Sequence, residues 1–408
     1  MIWRRGRDTR PWRAAVPRTA ALVCSAVLAL AGAAGFATAD RGIERRSVTV
    51  DGVPLEVVRP ARATGRLPGV VVAHGLGAGG RFMRGFADTL ARRGLAVELV
   101  DLTGHGANTR RLPGDGEGPA AEARLGRDLD VAVTHLGALS WVDGRRIGLL
   151  GHSMGAAAVL RYAAAHPSVR ATVAISQGAA PAAVSASAPR DLLLLAGGLE
   201  FPGYHAGAVD ALRVAYPGGR TGVTYGSAGA GTARRAVLVP GVEHAGVLFS
   251  PRTHREAATW FSAALTTGSG EPSATGPAAV PDPRGHGVGG RSGRSGGPGA
   301  GAGEGRVGIR PFQRIGAAVL MHLAAVLCFG AIASVALGRP RSPGPARRVR
   351  APVALGVPVA AVVVALPVMA ALPRHWLPLA VAGPLAGFLG AAGAVLLAAA
   401  RGRAAPDG

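Results

Sequence analysis

One serine in this chain has the surroundings of an enzymatic nucleophile. Residues 151–155 read Gly-His-Ser-Met-Gly, the pattern G-x-S-x-G, between an apolar run at 147–150 and an alanine-rich stretch. In a strand–turn–helix setting, such glycines permit a strained turn that projects the serine hydroxyl above the end of the strand. The pattern recurs at residues 293–297, but there it lies in a stretch without strand or helix patterning. The context therefore predicts Ser153 as a nucleophile.

A serine nucleophile requires a base that accepts its proton and a carboxylate that orients the base. His244 lies on the loop after the last predicted strand and is the predicted base. The rival, His254, falls in a helical pattern and is expected on the surface. Glu200 directly follows another predicted strand and is the predicted acid, with Asp210, in a predicted helix, as the alternative. We expect Ser153, Glu200 and His244 to meet at one edge of a sheet.

The segments that position these residues alternate between strands and helices. Short runs rich in Val and Leu predict eight strands, at residues 47–50, 55–58, 70–73, 95–100, 147–150, 171–176, 192–196 and 236–239. Helical patterns lie at residues 81–93, 119–139, 153–165, 208–216 and 251–265. Asp51 and Gly52, between the first two strands, form a strong hairpin signal. This alternation predicts an α/β fold with a mostly parallel sheet and helices on both faces.

Five motifs in chain order resemble the α/β-hydrolase superfamily across residues 41–265. They are His-Gly-Leu-Gly at 74–77, Asp-Leu-Thr-Gly-His-Gly at 101–106, the Ser153 turn, the Glu200 turn and the His244 loop. The resemblance implies the α/β-hydrolase fold with a mostly parallel eight-stranded sheet. It also implies hydrolysis through a serine-bound acyl intermediate, with neither a metal nor an organic cofactor.

The resemblance assigns supporting roles to other residues. The backbone N–H groups of Leu76 and Met154 are expected to form the oxyanion hole, which binds negative charge as it develops on the substrate. His74 and His105 are expected to fix their turns by hydrogen bonds. His152 is expected to pack against the sheet.

The composition excludes several classes of function. All 45 basic residues are Arg, which excludes chemistry that needs a lysine amine, such as P-loop phosphate binding or a pyridoxal Schiff base. The net charge of +22 is spread along the chain, with +8 in residues 41–265, and no aromatic residues are interleaved with the basic clusters. Nucleic acid is therefore not an expected partner. Cys24 and Cys328 both lie in apolar runs, so no disulfide framework or cysteine metal site is expected.

Apolar runs at both ends predict membrane segments. An arginine-rich start precedes the run 20–39, which ends in Ala-Thr-Ala and predicts either a cleaved signal peptide or, in slight preference, an uncleaved signal anchor. Runs at 315–337, 351–372 and 377–400 each approach the ~20 residues that cross a bilayer. The flanking arginines predict a multi-pass plasma-membrane protein with a cytoplasmic N-terminus.

These expectations divide the chain into a signal segment at 1–40, a hydrolase domain at 41–265, a Gly/Ser/Pro-rich linker at 266–312 and three membrane helices at 313–403. Residues 177–190 are too few for a sizeable lid, as in lidless esterases, thioesterases and dienelactone-hydrolase-like enzymes. The resemblance thus implies a membrane-anchored, extracytoplasmic serine hydrolase that cleaves carboxylic esters or thioesters of small-molecule or lipid acyl groups. The alternatives are a non-catalytic membrane protein that binds or signals, and an acyltransferase to a cell-envelope acceptor.

Overall fold

A computed structural model of the protein describes residues 18–114, 118–178, 184–228, 230–266 and 311–336. The chain divides into two units. One unit is Arg45–Arg310, which includes residues 45–265 of the predicted hydrolase domain, and the other combines Met1–Glu44 with Pro311–Gly408.

The first unit is built on a single nine-stranded sheet with the order β1-β2-β4-β3-β5-β6-β7-β9-β8. Its strands are β1 Ile43–Val50, β2 Val53–Pro60, β3 Leu67–Ala73, β4 Ala96–Val100, β5 Val142–His152, β6 Val169–Ile175, β7 Leu192–Gly197, β8 Thr224–Tyr225 and β9 Arg234–Val239. The pairs from β4 through β3, β5, β6 and β7 to β9 are parallel. The pairs β2–β4 and β8–β9 are antiparallel. The carboxyl ends of the parallel strands therefore share one edge.

Five helices cover the sheet. They are α2 Arg84–Ala91, α3 Gly118–Ala138, α4 Met154–Ala165, α5 Pro202–Ala215 and α6 Pro251–Thr266. Helices α3, α4 and α5 pack on one face of the sheet, and α2 and α6 pack together on the other. Strands β3, β4 and β7 are buried along their whole length, which explains their apolar sequences, with Glu98 on β4 as a buried exception. Each Val or Leu buried there stabilises the fold by roughly 1.5–3 kcal/mol.

All eight predicted strands are present, but the predicted strand count was wrong. The ninth strand, β8, is two residues long and is defined by its pairing with β9, where Tyr225 lies opposite Arg234. The hairpin between β1 and β2 turns at Asp51 and Gly52, whose φ angles are 48° and 72°. Positive φ at both central residues matches the right-handed twist of a two-residue hairpin.

The described residues of the second unit include two antiparallel helices, α1 Arg18–Ala39 and α7 Gln313–Ala336. By length and composition, Thr19–Ala39 is able to cross a membrane. Helix α7 coincides with the first predicted C-terminal run. The other two predicted membrane runs, at 351–372 and 377–400, lie outside the described residues, as does nearly all of the predicted linker.

Candidate active site

Ser153 lies in a sharp turn between β5 and α4. Its backbone has φ 54° and ψ −118°, a conformation that L-residues rarely adopt and that stores strain. The flanking glycines are required by close backbone contacts, because a Cβ on Gly151 would lie 2.3 Å from the Gly155 carbonyl oxygen. A Cβ on Gly155 would lie 2.5 Å from the His74 carbonyl oxygen. The turn therefore has the geometry that the G-x-S-x-G pattern predicts.

The structure brings Ser153, His244 and Glu200 together. The Ser153 Oγ lies 3.1 Å from His244 Nε2, and His244 Nδ1 lies 2.6 Å from Glu200 Oε1. With Nδ1–H donating to the carboxylate, Nε2 carries a lone pair that accepts a hydrogen bond from the Ser153 hydroxyl. The three residues follow the carboxyl ends of β5, β7 and β9. These ends lie along the same edge of the sheet, with β6 between β5 and β7.

Glu200 is held in a tight turn after β7. Its side chain is fully buried, and Oε2 accepts a 2.7 Å hydrogen bond from the Gly197 N–H. The Gly197 carbonyl in turn accepts hydrogen bonds from the Glu200 N–H and from His205 Nε2. One carboxylate oxygen is therefore fixed by the backbone, and the other is left to orient His244.

His152 has a role that the sequence reasoning missed. It was expected to pack against the sheet, but its Nε2–H donates a 3.0 Å hydrogen bond to the backbone carbonyl of His244. Burial, followed by the charge of His244, lowers the pKa of His152 to about 4, so the ring is neutral at neutral pH. Its position directly before the nucleophile was the signal available in the sequence. His152 is a positioning residue for the His244 loop.

The predicted oxyanion donors lie beside the nucleophile. Met154 is the first residue of α4, so its N–H has no acceptor within the helix. The loop that carries Leu76 approaches the serine turn closely, because a Cβ on Gly75 would lie 3.2 Å from Ser153 Cβ. Within the described residues, neither the Leu76 nor the Met154 N–H donates to a protein acceptor. Both amides are thus available to a substrate oxygen.

His74 and Asp101 fix the two loops next to the site. Nδ1–H of His74 donates to the Gly75 carbonyl, and Nε2 accepts the Leu102 N–H. Burial lowers the pKa of His74 to about 4, which keeps this donor–acceptor arrangement at neutral pH. The Asp101 carboxylate accepts the Gly80 and Ala107 N–H groups at 2.6 and 2.7 Å.

The neighbouring His105 is also part of a turn. Its Nδ1–H donates to the Thr103 carbonyl at 2.9 Å. His74 and His105 therefore bind backbone groups of their turns, as expected from the sequence.

The two rival residues lie away from this arrangement. His254 was expected on the surface, and this was wrong, because it is fully buried between Thr89 Oγ1 and the Leu248 carbonyl, each at 2.8 Å. Its ring stacks on Phe86 with centroids 4.1 Å apart, and burial lowers its pKa to about 4. Asp210 is exposed on α5, whereas Glu200 contacts His244.

A cavity of about 340 Å³ opens beside Ser153. Its lining includes Met154, Ala157, Ser176, Phe201 and Tyr204. The ring of Tyr204 lies 4.5 Å from that of His244, and Phe201 is 80% exposed at the mouth. Within the described parts of the chain, no three His, Cys, Asp or Glu side chains are grouped as metal ligands. The arrangement suits attack on a substrate with apolar parts.

Comparisons with known proteins agree with this description. A family model described as serine aminopeptidase, S33, matches residues 68–203. No curated protein matches the chain. The family match and the mostly parallel sheet support the α/β-hydrolase superfamily and a hydrolase in the sheet-based unit.

Similar solved structures are a dienelactone hydrolase from Anabaena variabilis ATCC 29413 (24% identity, TM-score 0.40), a hypothetical protein from Pseudomonas aeruginosa (15%, 0.44) and a putative dienelactone hydrolase from Klebsiella pneumoniae subsp. pneumoniae MGH 78578 (20%, 0.40). Each alignment covers 54% of this chain and, in the same order, 98%, 94% and 98% of the other chain.

Proposed function

We propose that the protein is a serine hydrolase that cleaves carboxylic esters or thioesters. Ser153 Oγ attacks the acyl carbonyl carbon while His244 Nε2 accepts the hydroxyl proton. The imidazolium then gives this proton to the leaving alcohol or thiol as the C–O or C–S bond breaks. Water attacks the acyl-enzyme in the same way, with His244 accepting its proton, and the free acid leaves as Ser153 regains a proton.

The observation that carries this proposal is the continuous hydrogen-bonded line from Ser153 through His244 to Glu200. The distances of 3.1 and 2.6 Å lie within the range needed for proton transfer and for orientation of the base. The buried Glu200 carboxylate stabilises the imidazolium that forms during attack. A backbone N–H from Gly197 holds that carboxylate in place.

The free amides of Leu76 and Met154 complete the proposed machinery. They would bind the oxyanion of the tetrahedral intermediate, and the loss of one such donor typically costs about 10²–10³ in rate. The cavity of about 340 Å³ is near the lower end of the ~300–1,000 Å³ typical of small-molecule sites. Its size favours short acyl groups.

We also propose that α1 and α7 anchor the hydrolase domain to a membrane on its extracytoplasmic side. The arginine-rich residues before α1 support a cytoplasmic N-terminus. Beyond Arg314 near its start, helix α7 is apolar apart from His322 and Ser334, and the two antiparallel helices would return the chain to the side where it began. Anchoring would keep the domain near acyl substrates at the membrane.

The test is labelling of the detergent-solubilised full chain with a fluorophosphonate probe, together with turnover of nitrophenyl esters of several acyl lengths. The wild type and Ser47→Ala, which alters an exposed serine on β1, should react and hydrolyse. Ser153→Ala should do neither. Equal labelling of all three proteins would contradict the assignment of the nucleophile. Labelling of Ser153 without release of acid would instead indicate acyl transfer, and an inert wild type would indicate a binding protein.

A further inference from the structure

A second serine, Ser176, directly follows β6, the strand next to β5. Ile175 is the last residue of β6 and lies opposite His152 on β5, and the Ser153 N–H donates a 2.9 Å hydrogen bond to the Ile175 carbonyl. Ser176 therefore lies about one strand spacing, ~4.8 Å, from Ser153 along the same sheet edge. Neither the proposed proton transfer nor the proposed oxyanion hole uses Ser176.

The backbone of Ser176 has a positive φ angle, as does that of the nucleophile. Its φ is 53°, against 54° for Ser153, and its N–H donates to the Leu195 carbonyl at 2.7 Å. Glycine would adopt this conformation without strain, whereas serine does so at a cost. Where a residue beside a reaction centre has a strained backbone that glycine would relieve, we infer that its side chain has a function there.

The Ser176 hydroxyl is buried and has no hydrogen-bond partner among the described residues. The residue is fully buried and lines the cavity next to Ser153, yet within the described residues its Oγ makes no hydrogen bond. A buried polar group without a partner is costly, and native structures rarely keep one without a reason. A ligand atom in the cavity would remove this cost.

We propose that the Ser176 hydroxyl hydrogen-bonds a hydroxyl group on the acyl part of the substrate, at carbon 2 or carbon 3. This inference rests on the proposed hydrolase function. The acyl part remains bonded to Ser153 through both half-reactions, so a contact to it acts in both. A substrate hydroxyl is also able to donate or accept, as is the Ser176 hydroxyl. The substrate class is therefore short hydroxyacyl esters or thioesters.

The test compares kcat/KM for nitrophenyl esters of butanoate, 2-hydroxybutanoate and 3-hydroxybutanoate with the full chain. For each protein the ratio of a hydroxyacyl ester to butanoate is measured, so that intrinsic ester reactivity cancels between proteins. Ser176→Ala and Ser176→Gly should both lower this ratio for one of the hydroxyacyl esters by about 3- to 10-fold, as expected for one hydrogen bond. Glycine relieves the backbone strain, so agreement between the two variants assigns the effect to the hydroxyl.

Thr172→Val is the matched control. Thr172 lies on β6, the strand that Ser176 follows, is fully buried, and has a hydroxyl without a partner among the described residues, but it does not line the cavity. It should leave the ratio at the wild-type value. An unchanged ratio in both Ser176 variants, or an equal fall in Thr172→Val, would overturn the inference.

The outcome is separable from that of the proposed function. If Ser153→Ala hydrolyses butanoate as fast as the wild type, the proposed function fails. If Ser153 is required but the ratio of hydroxyacyl ester to butanoate is unchanged in the Ser176 variants, only the present inference fails. Thermal unfolding of each variant, followed by circular dichroism, shows whether the compared proteins are folded.

Discussion

At the scale of single residues, the neutrality of His152 matters as much as its hydrogen bond. Its ring lies 4.8 Å from that of His244, and it holds the carbonyl of the residue that is the proposed base. A second positive charge at this distance would disfavour the imidazolium that the reaction requires. Because burial lowers the pKa of His152 to about 4, it positions the loop without that charge.

This arrangement predicts that His152→Phe lowers kcat by about 10-fold while KM changes little. Phenylalanine keeps the ring volume but removes the donor, so the His244 loop loses one backbone restraint, and misplacement of a catalytic group acts on the chemical step. His152→Gln, which keeps an N–H donor, should recover part of the loss. Steady-state kinetics on a nitrophenyl ester provide both constants.

His166→Phe is a suitable comparison for that experiment. His166 also donates to a backbone carbonyl, that of Tyr162 at 2.7 Å, but it ends α4 on the side away from Ser153. It should leave kcat unchanged. If His152→Phe also leaves kcat unchanged, or if His152→Gln is no better than His152→Phe, the positioning role is wrong.

At the scale of elements, the strands and turns that depend on local sequence alone are well predicted. The buried strands are continuous runs of Val, Leu and Ala because both faces of the sheet are covered, and such runs are visible without a structure. The serine turn is visible because glycine is required where backbones meet. Residues that end parallel strands meet at one edge, so Ser153 and Glu200 were predictable as neighbours.

Features that depend on partners elsewhere in the chain were missed. Strand β8 exists through its pairing with β9, and two residues carry no periodic signal. The burial of His254 did have a signal, since positions 254, 257, 258 and 261 form one buried face of α6. Its polarity suggested the surface, but Thr89 and the Leu248 carbonyl supply the hydrogen bonds that make burial possible.

We propose that the first segment is retained, and the contacts between α1 and α7 support this proposal. A Cβ on Gly32 would lie 2.8 Å from Met321 Cγ, and one on Gly35 would lie 2.9 Å from Ala317 Cβ, so small residues let the helices approach closely. Ser25 Oγ donates to the Ala324 carbonyl at 2.8 Å. Such polar contacts between apolar helices stabilise a pair in a membrane.

The predicted cleavage sequence is itself part of this pair. Residues 37–39 are helical, and Thr38 Oγ1 accepts a 2.8 Å hydrogen bond from Gln313 Nε2. Proteolysis acts on a locally opened backbone, so the pairing protects the site.

We therefore expect an N-terminally tagged full chain to keep its tag in the membrane fraction, at the full mass of 40.8 kDa plus the tag. Gly32→Leu with Gly35→Leu should separate the helices and produce a shorter, untagged form, detected by immunoblotting. Gly316→Leu on α7 is the control, because a Cβ there meets nothing within 4 Å. Loss of the tag from the wild type would show that the segment is a cleaved signal peptide.

At the scale of the whole molecule, buried ionisable groups make stability depend on pH in two opposite directions. Burial lowers the pKa values of His74, His152 and His254 from 6.5 to about 4. Between these values the unfolded chain binds three protons that the folded chain does not. Each of the three histidines therefore lowers the free energy of unfolding by about 1.4 kcal/mol for every pH unit of acidification between pH 6.5 and 4.

Two buried carboxyl groups act in the opposite sense. Burial raises the pKa of Glu98 from 4.5 to about 9 and that of Asp191 from 3.8 to about 6. The folded chain then keeps protons that the unfolded chain has lost, so stability falls as the pH rises through each interval. Burial also lowers the pKa of His135, whose Nδ1 lies 2.8 Å from Glu98 Oε2, so the pair is neutral at neutral pH, with the carboxyl proton donated to the ring.

The balance of these groups predicts a maximum of stability near pH 6.5. Below this pH, the effect of the three histidines on stability is larger than the opposite effect of Glu98 and Asp191, so the free energy of unfolding falls as the pH falls. Between pH 6.5 and 9, only the effect of Glu98 remains among these five groups, and the free energy of unfolding declines by about 1.4 kcal/mol per pH unit. Glu98→Gln should remove the alkaline decline and make the acid limb steeper by about 1.4 kcal/mol per pH unit between pH 4.5 and 6.5, because Glu98 opposes the histidines there. Urea unfolding of the detergent-solubilised chain at pH 5 to 9, followed by tryptophan fluorescence, measures both limbs. An alkaline limb that persists in Glu98→Gln would show that another group causes it.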